Sequence, residues 1–488
     1  MSIFQEKTEL LTKECKPQDE CGVFGIYKND DDINTVAEVY SGLLALQHRG
    51  QQSAGICVND NGTFKCFKNN GLVSEALTVE GLDELPNGKI AIGHVRHSIY
   101  TRDKHDFAAV QPLLMRYING SLAIAHNGAI TNRAEIHKLL EQGGAIFQSN
   151  SNAELIAYVI ASNRLQTFSI EEAVLKSMDM LEGAYSMVII SPSKLIAVRD
   201  PNGFRPLCIG KMKNSYIVSS ESCAFDSLGA DFVRDVQAGE MVVIDENGLH
   251  SYTEHCSDKT SMCIFEPIYI SRPDSVIDHQ CVHNFRMNVG AALARAYPVE
   301  ADVVCGVPDS GVSCAIGYAN ATGIPYGVAI IKNKYIGRTL SMEGSNNLKK
   351  RTLEIKINVL KPTVENKRVV IIDDSIVRGG TMAHIVDLLK KAGAKEVHVR
   401  VASPEFHETC YYGTSLPAKD QLISHKLSKQ QLCEKINADS LEFISLQDLK
   451  SCATDNSVNF CTACFDGNFP TEVPTEQFED KFSKKIKK

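Results

Sequence analysis

The pattern of apolar and polar positions divides the chain into two regions of different texture. From Cys21 to about residue 255, short apolar runs such as GVFGIY and LAIAHNG are separated by Asn-Gly turns, which predicts β-strands. Two longer helical patterns interrupt the strands, around 132–140 and 153–163. Because strands and helices come in blocks, the pattern predicts an α+β domain.

From about residue 285 strands and helices alternate. The apolar strand VVCGVP precedes a helical VSCAIGYANATG, and PYGVAII is a further strand. RVVIIDD then leads through SIVRGG into the helical TMAHIVDLLKKAG, and EVHVRVAS is the next strand. This alternation predicts a parallel α/β sheet that binds ligands at the carboxyl ends of its strands.

Composition narrows the classes of protein. A length of 488 residues favours two domains. The net charge of −8 argues against nucleic-acid or membrane-surface partners, and no apolar run approaches transmembrane length. The polar start lacks the apolar core of a secretory signal. Sixteen cysteines without an export signal predict a reducing, cytoplasmic location in which disulfides do not form.

The segment 369–381 carries the most specific chemistry in the chain. An apolar strand delivers Asp373 and Asp374, and two glycines then precede a helix that is predicted to start near Thr381. A helix N-terminus preceded by glycines offers N–H groups to a phosphate. Paired acids suit ribose hydroxyls and Mg²⁺. A strand-to-helix turn with acids and glycines can also be purely structural, which is the better interpretation for a lone Gly-Gly pair.

This thirteen-residue string resembles the phosphoribosyl pyrophosphate motif of type I phosphoribosyltransferases, in the form found in glutamine phosphoribosylpyrophosphate amidotransferases. The resemblance implies a set of substrate-binding residues, namely Asp373, Asp374, Ser375, Arg378, Gly379, Gly380 and Thr381. Gly380 stands where that family has a threonine, which removes one hydroxyl contact to the 5′-phosphate. The backbone groups that would bind the phosphate remain.

Two further segments match this family in order. CGVPDSG, residues 305–311, resembles its pyrophosphate loop, which implies that Ser310 joins Asp373 and Asp374 around Mg²⁺. IKNKYIGRT, residues 331–339, resembles the flexible loop that closes over the substrate. That likeness implies three basic contacts to the diphosphate leaving group, from Lys332, Lys334 and Arg338. A basic loop can also be only a solvated surface, and Glu354 stands where an arginine is common in the family.

A second site is predicted at Cys21, which begins CGVFGI after a polar leader of twenty residues. Taken alone, a cysteine before an apolar strand is most often a core residue. Removal of the leader would expose an α-amino group with a pKa near ~8, which can take the thiol proton. The segment resembles class II, N-terminal-nucleophile amidotransferases. That resemblance implies that Cys21 is the nucleophile and that residues 1–20 are a propeptide.

Three more class II signatures follow. LQHRGQQSAG implies that Arg49 holds the surroundings of the nucleophile, and GHVRHS implies that Arg96 binds the glutamine carboxylate. HNG implies an oxyanion hole made by the Asn127 side chain and the Gly128 N–H. The expected chemistry is thiolate attack on the carboxamide, release of ammonia and hydrolysis of the thioester.

Two positions depart from the class II pattern. Ile99 replaces a threonine that helps to hold glutamine, and Asn152 replaces an aspartate that pairs with the substrate α-ammonium. Asn152 can still accept a hydrogen bond, but it brings no charge. Loss of a charge-assisted bond costs roughly 1–3 kcal/mol. We therefore expect weaker use of glutamine rather than none.

The CxxC formed by Cys461 and Cys464 is by itself compatible with zinc, a redox pair or no ligand. CTACFDGNFPTEV resembles the iron–sulfur branch of the amidotransferase family. That resemblance implies Cys263 and Cys410 as the other two ligands of a structural [4Fe–4S] cluster, with zinc as the alternative.

The resemblance covers residues 21 to about 474 and implies two domains. They are an αββα N-terminal-nucleophile domain over 21–262 and an α/β parallel-sheet phosphoribosyltransferase domain over 263–470, with a charged tail at 471–488. The implied reaction converts phosphoribosyl pyrophosphate, glutamine and water to 5-phosphoribosylamine, glutamate and pyrophosphate, the first step of purine synthesis. Feedback inhibition by purine nucleotides and a homotetramer are implied in the same way.

Two other functions remain open at this point. Ile99 and Asn152 are compatible with a diverged paralogue that uses free ammonia and has little or no glutaminase activity. A regulator that binds phosphoribosyl pyrophosphate without turnover is a third hypothesis. Retention of Cys21 and Arg338 argues against the regulator.

Overall fold

The computed structural model describes residues 21–30, 34–97, 107–333, 357–455 and 457–474. Its first half contains two antiparallel sheets. One is built from β1 Gly22–Tyr27, β2 Ser53–Asp60, β3 Thr63–Asn70, β4 Ile90–Arg96, β9 Cys208–Met212, β10 Ser215–Ser219 and β11 Asp231–Asp235. The other is built from β5 Leu113–Tyr117, β6 Gly120–Asn127, β7 Ser186–Ile190, β8 Leu195–Arg199, β12 Met241–Asp245 and β13 Gly248–Tyr252. Their strand orders are β11-β9-β10-β1-β4-β2-β3 and β13-β12-β8-β7-β6-β5.

The two sheets stack face to face over an apolar layer that includes Val23, Ile92, Ala125 and Val188. Gly25 allows the close approach, since a Cβ there would lie 2.7 Å from Cγ1 of Val188. Helices pack on the outer faces of both sheets. The helices of this half are α1 Thr35–Ala45, α2 Val73–Ala76, α3 Val79–Asp83, α4 Arg133–Gln142, α5 Asn152–Arg164, α6 Ile170–Met178 and α7 Cys223–Asp226. The predicted αββα layering and both predicted helices are confirmed.

The second half is organised around a parallel sheet. Its strands are β17 Val303–Gly306, β20 Arg368–Asp373, β21 Glu396–Val401 and β22 Ser440–Phe443, and they pair in that order. Short pairs join β14 Met262–Cys263 to β23 Phe460–Cys461, β15 Val276–Ile277 to β16 Gln280–Cys281, and β18 Ile330–Lys332 to β19 Ile357–Val359. The helices are α8 Val282–Ala296, α9 Gly311–Thr322, α10 Lys361–Val364, α11 Gly380–Lys391, α12 Lys429–Lys435, α13 Leu446–Lys450 and α14 Ala463–Asp466.

Buried clusters cover both faces of this sheet, as the near-continuous apolar strands predict. One predicted strand is shorter than expected. PYGVAII contributes a single bridge between Tyr326 and Val304 before β18 begins at Ile330. Ile330 and Ile331 pair instead with Val359 and Asn358 of β19, in an antiparallel register. Within the described residues no helix combines the length and the apolar character needed to cross a membrane.

The expectation that no disulfide forms was wrong for one pair. Cys57 on β2 and Cys66 on β3 are bonded, with their Cα atoms 4.1 Å apart. The two residues are direct partners in the antiparallel register of β2 and β3. Register therefore brings together two cysteines that composition alone does not pair.

Candidate active sites

Cys21 lies immediately before β1, beside the end of β4. Gly22 pairs with Val95 in the antiparallel register, so Cys21 stands next to Arg96 and His97. Its Sγ donates a hydrogen bond to the His97 carbonyl oxygen at 3.4 Å. Arg96 is buried at the same sheet edge. The structure therefore brings together the predicted nucleophile and the arginine predicted to bind the glutamine carboxylate.

The predicted oxyanion hole lies at the end of β6 in the second sheet. Asn127 is 1% exposed, and neither atom of its side-chain amide has a hydrogen-bond partner among the described residues. Gly128 follows at φ 128°, a conformation that favours glycine. Nε2 of His94 on β4 bonds the His126 carbonyl at 3.1 Å, which ties this strand end to the Cys21 edge. A buried amide without partners is costly, so its polar atoms indicate a ligand position.

Two buried histidines stand between the sheets at this edge. Burial lowers the pKa of His94 to about 3 and the pKa of His126 to about 4. Both imidazoles are therefore neutral near pH 7. The backbone N–H of His126 also donates to Oε1 of Gln111 at 2.7 Å. These bonds fix the backbone just before Asn127.

Arg49 contacts the backbone of the predicted nucleophile, Cys21. Its Nε donates to the Cys21 carbonyl oxygen at 3.2 Å. Its other nitrogens bond Glu221 at 2.5 Å and Glu266 at 2.8 Å, and all three charged side chains are fully buried. Burial alone would raise the pKa of Glu221, but His48 and Arg49 hold that pKa well below its ordinary value. A buried, ionised network therefore supports the backbone of Cys21.

Asn152 is the first residue of α5, and its Oδ1 has no partner within the described part of the chain. Glu154 of the same motif is committed elsewhere, since it accepts bonds from the N–H groups of Gln148 and Ser149, each at 2.7 Å. An acceptor is thus available at the position where the class II pattern has an aspartate. Ile99, the other departure, lies outside the described residues.

The paired acids lie at the carboxyl end of β20, as predicted. Asp373 is 1% exposed and Asp374 is fully buried. Ser310, from the loop after β17, donates its hydroxyl to Asp374, and the Ser375 hydroxyl donates to the same carboxylate at 2.5 Å. Burial lowers the pKa of the nearby Arg286 to about 10, while the charge of Asp374 acts in the opposite direction. Two carboxylates and two hydroxyls form a hard oxygen donor set that suits Mg²⁺.

The glycine loop leads directly into a helix. Gly379 is the N-cap at φ 78°, and α11 begins at Gly380, one residue before the predicted Thr381. The first-turn N–H groups of this twelve-residue helix are therefore offered at the carboxyl edge of the sheet. Nη2 of Arg378 donates to Oε1 of Gln421 at 2.5 Å. The loop thus has the geometry of a phosphate site.

Lys332 ends β18 and forms an ion pair with Asp309, with Nζ 2.8 Å from Oδ2. Asp309 belongs to the same loop as Ser310, so Lys332 reaches the predicted pyrophosphate loop. Lys334, Arg338 and Glu354 lie outside the described residues.

The four cysteines predicted as cluster ligands face one cavity. It is lined by Phe204, Cys263, Phe265, Phe406, Cys410, Tyr412, Thr414, Leu416, Cys461, Ala463, Cys464 and Phe469. The backbone pairing of Cys263 with Cys461 joins two of the ligand segments. Burial raises the pKa of Cys461 to about 12 and that of Cys464 well above its ordinary value. No three His, Cys, Asp or Glu side chains in the described ranges are placed to hold a single metal ion.

Comparisons with known proteins agree with this architecture. A glutamine amidotransferase domain family matches residues 94–227, and a phosphoribosyl transferase domain family matches residues 285–404. The amidophosphoribosyltransferase of Bacillus subtilis is 43% identical over 93% of this chain and 95% of its own. That of Methanocaldococcus jannaschii is 40% identical over 94% of this chain and 99% of its own. The structure of the B. subtilis glutamine phosphoribosylpyrophosphate amidotransferase complexed with ADP and GMP superposes with a TM-score of 0.86 at 42% identity, covering 94% and 99% of the two chains.

Fold and sites together define a glutamine amidotransferase domain joined to a phosphoribosyltransferase domain. Full-length similarity to enzymes that share one activity makes the assignment specific. The chain belongs to the amidophosphoribosyltransferase family. It is accordingly a pentosyl-transferring enzyme with a glutamine amidotransferase half, and its function is the entry step of purine biosynthesis.

Sequence reasoning did not find several residues that hold these sites. Glu221 and Glu266 bind Arg49, and Arg205 bonds both Glu266 and the Tyr412 carbonyl oxygen. Each is a charged residue without a motif, separated from its partners by up to 217 positions. In the sequence, isolated charges of this kind are interpreted as surface residues. One available signal was Glu266-Pro267 within MCIFEPIYISRPDS, a charge inside an otherwise apolar run.

Proposed function

We propose that this chain hydrolyses glutamine on Cys21 and transfers the released ammonia to C1 of phosphoribosyl pyrophosphate, forming 5-phosphoribosylamine, glutamate and pyrophosphate. The observation that carries the glutaminase assignment is the buried amide of Asn127, which has no partner for either polar atom among the described residues. It lies beside Gly128, at the sheet edge that also holds Cys21 and Arg96. A tetrahedral oxyanion supplies the acceptor that this amide lacks.

In the first half, the Cys21 thiolate attacks the carboxamide, and the side chain of Asn127 with the Gly128 N–H stabilises the oxyanion. Arg96 binds the substrate carboxylate. Asn152 accepts a hydrogen bond from the substrate α-ammonium through Oδ1. Arg49 holds the backbone of Cys21. Release of a propeptide at residues 1–20 gives Cys21 the free amine that takes the thiol proton.

In the second half, the 5′-phosphate is bound by the loop and helix N-terminus. The residues concerned are Ser375, Arg378, Gly379, Gly380 and Thr381. Asp373 and Asp374 bind the ribose hydroxyls, and with Ser310 they would hold Mg²⁺, which when bound neutralises charge on the diphosphate. Lys332, Lys334 and Arg338 add positive charge for the leaving group. Displacement at C1 then depends on positioning and charge rather than on a covalent intermediate.

The cysteine cavity fits a [4Fe–4S] cluster held by Cys263, Cys410, Cys461 and Cys464. Four thiols face one space, yet no three are placed for one ion. Tetrahedral zinc with bonds of about 2.3 Å requires sulfur atoms roughly 3.8 Å apart, closer than in a cubane cluster, so zinc is the weaker alternative. The cluster's role would be structural. Chemical analysis of protein purified without oxygen tests this, with iron and sulfide in equal amounts expected and stoichiometric zinc contradicting it.

Further parts of the proposal concern organisation and control. We propose domains over 21–262 and 263–470 with a tail at 471–488; the boundary falls within β14, which pairs with β23 of the second half. The solved B. subtilis relative complexed with ADP and GMP supports purine nucleotides as feedback inhibitors. A homotetramer and a cytoplasmic location complete the proposal, with no nucleic-acid or membrane partner.

A second candidate function is synthesis from free ammonia alone, which the uncharged Asn152 favours. The two functions are separated by one experiment. The protein is purified without oxygen, mass spectrometry shows whether Cys21 is the mature N-terminus, and glutamate release is measured with and without phosphoribosyl pyrophosphate. We expect release that Cys21→Ser abolishes and Cys256→Ser preserves, with ammonia-dependent synthesis intact in both variants. No release from mature wild-type protein that still uses ammonia would establish the second function instead.

A further inference from the structure

A short segment of the second half packs against the oxyanion glycine of the first. At Gly413 an added Cβ would lie 3.2 Å from the Cα of Gly128 and 3.4 Å from its carbonyl carbon. Gly413 has φ 121°, a conformation that favours glycine. The segment Tyr412–Gly413–Thr414 begins two residues after Cys410 in the chain. The second half therefore contacts the residue whose N–H is predicted to donate to the oxyanion.

The Gly128 backbone has a second close neighbour. A Cβ on Gly128 would lie 2.2 Å from the carbonyl oxygen of Ala184, so that direction is already filled. The N–H of Ala184 also donates to the Ala129 carbonyl at 2.9 Å. Gly128 thus sits against Ala184 from its own half and Gly413 from the other half. A displacement of Gly413 would be transmitted to Gly128 because packed interiors have little free space.

One fully buried side chain, Arg205, holds the segment in place. Its Nε and Nη2 both donate to the Tyr412 carbonyl oxygen, at 3.1 and 2.8 Å, and Nη2 also donates to Oγ1 of Thr414 at 3.2 Å. Phe204 stacks on the Tyr412 ring with centroids 4.0 Å apart. The planar guanidinium sets the direction of these bonds, which a lysine ammonium cannot reproduce.

The same guanidinium reaches the nucleophile through two further side chains. Nη1 of Arg205 lies 3.4 Å from Oε1 of Glu266. Glu266 binds Arg49, and Arg49 donates to the carbonyl oxygen of Cys21. Arg205 therefore takes part in two series of contacts. One runs through Glu266 and Arg49 to Cys21, and the other runs through the Tyr412–Gly413–Thr414 segment to Gly128.

We propose that Arg205 and Gly413 are positioning residues of the glutaminase site, through which docking of the second half sets the geometry of Gly128 and Cys21. The inference rests on the proposed function, because it concerns glutamine hydrolysis on Cys21. Neither residue touches the substrate. Their effect is on the placement of groups that do, and misplacement by about 1 Å can lower a rate by about 10²-fold.

The test compares two glycines of the second half that share a positive φ. Gly413→Ala introduces a methyl group 3.2 Å from both the Cα of Gly128 and Nη2 of Arg205, whereas at Gly467, with φ 75°, the nearest atom is Cγ of Glu408 at 3.8 Å. We expect Gly413→Ala to lower kcat for glutamine hydrolysis by about 10²-fold with KM changed by less than about threefold. Gly467→Ala should leave both unchanged. Ammonia-dependent synthesis should be alike in the two variants.

Arg205→Lys provides a second test of the proposal, and it adds no atoms near Gly128. It should lower the same kcat with the charge retained, while Arg234→Lys, which alters the partly exposed Arg234–Glu240 pair, should not. Equal losses in Gly413→Ala and Gly467→Ala, or a loss of ammonia-dependent synthesis as large as that of glutamine hydrolysis, would overturn the positioning role. Absence of glutamate release from the wild-type chain is a different result, because it removes the glutaminase itself.

Discussion

The two sites of this chain differ in whether their polar side chains are hydrogen-bonded to other parts of the protein. At the glutaminase site the amide of Asn127 and Oδ1 of Asn152 have no partner within the described residues. At the phosphoribosyl site, Asp374 accepts hydrogen bonds from the hydroxyls of Ser310 and Ser375. The first site is held open for a substrate by packing between distant elements. The second keeps its charged groups hydrogen-bonded within loops at one sheet edge.

The difference follows from the chemistry of each ligand. An oxyanion forms only during reaction, so its donors must be fixed in advance by surrounding structure. Buried carboxylates are charged throughout and need partners at all times, which hydroxyls supply and a cation can replace. Changes at the first site should therefore affect glutamine hydrolysis alone. Changes at the second should stop synthesis from either nitrogen donor.

The largest expected effect tests the second site. Asp374→Asn should lower synthesis by about 10³-fold with glutamine and with ammonia alike, because a metal's charge stabilisation is worth several kcal/mol and tenfold in rate corresponds to about 1.4 kcal/mol. Both rates are measured over a range of Mg²⁺ concentrations. Asp387→Asn, which removes an exposed carboxylate from α11, is the control. A loss confined to glutamine-dependent synthesis would contradict the separation of the two sites.

The next effect concerns the first site. Asn127→Ala should lower kcat for glutamine hydrolysis by about 10²-fold, since it removes one oxyanion donor. Ammonia-dependent synthesis should stay within a factor of about two, because the phosphoribosyl site is untouched. Asn163→Ala, which removes another amide of the same half, serves as the comparison. If both variants lose hydrolysis equally, Asn127 has only a structural role.

A smaller effect sharpens the description of substrate binding. Asn152→Asp should lower the KM for glutamine by about tenfold, because a charge-assisted bond to the α-ammonium replaces a neutral one. Steady-state glutamate release at several glutamine concentrations gives the value. Asn163→Asp places the same charge near the other end of α5, about 16 Å away at 1.5 Å per residue, and should leave KM unchanged. An unchanged KM in Asn152→Asp would mean that the ammonium binds elsewhere.

The smallest effect is on stability. The pKa of His94 is about 3 in the folded chain, against an ordinary value of 6.5. Between pH 3 and pH 6.5 this histidine therefore binds a proton in the unfolded chain but stays neutral in the folded chain. The contribution of His94 to the free energy of unfolding is therefore complete above pH 6.5. It falls as the pH drops, by at most roughly 1.4 kcal/mol per pH unit. Asp200, whose pKa burial raises to about 6, acts with the opposite sign, so variants must be compared rather than total stability.

The comparison is made by thermal unfolding at pH 7.5 and pH 5. The gap in unfolding temperature between wild type and His94→Gln should narrow at the lower pH, because only the wild type loses stability through this group. A gap for His94→Gln that does not depend on pH would show that His94 is not held neutral.

The sequence by itself determined what is local. Contiguous strings such as 369–381 and 305–311 encode a strand end, a turn and a helix start, so the parallel sheet and the phosphate loop could be predicted from them. Two of the helices of the first half, Arg133–Gln142 and Asn152–Arg164, followed from periodicity in the same way. The strand PYGVAII was predicted too long and the Cys57–Cys66 bond was not predicted, because ladder length and cross-strand register depend on partners elsewhere in the chain.

Only the tertiary structure decided how the sites are supported. Arg205 and Gly413 carry no local pattern, Glu266 differs only as a charge inside an apolar run, and the partners of all three lie far away in sequence. Buried ion pairs are formed when packing excludes water around charges from distant elements, so their energy belongs to the assembled fold rather than to any segment. The reacting groups could thus be predicted as motifs, whereas the residues that hold them became visible only once the two halves were packed together.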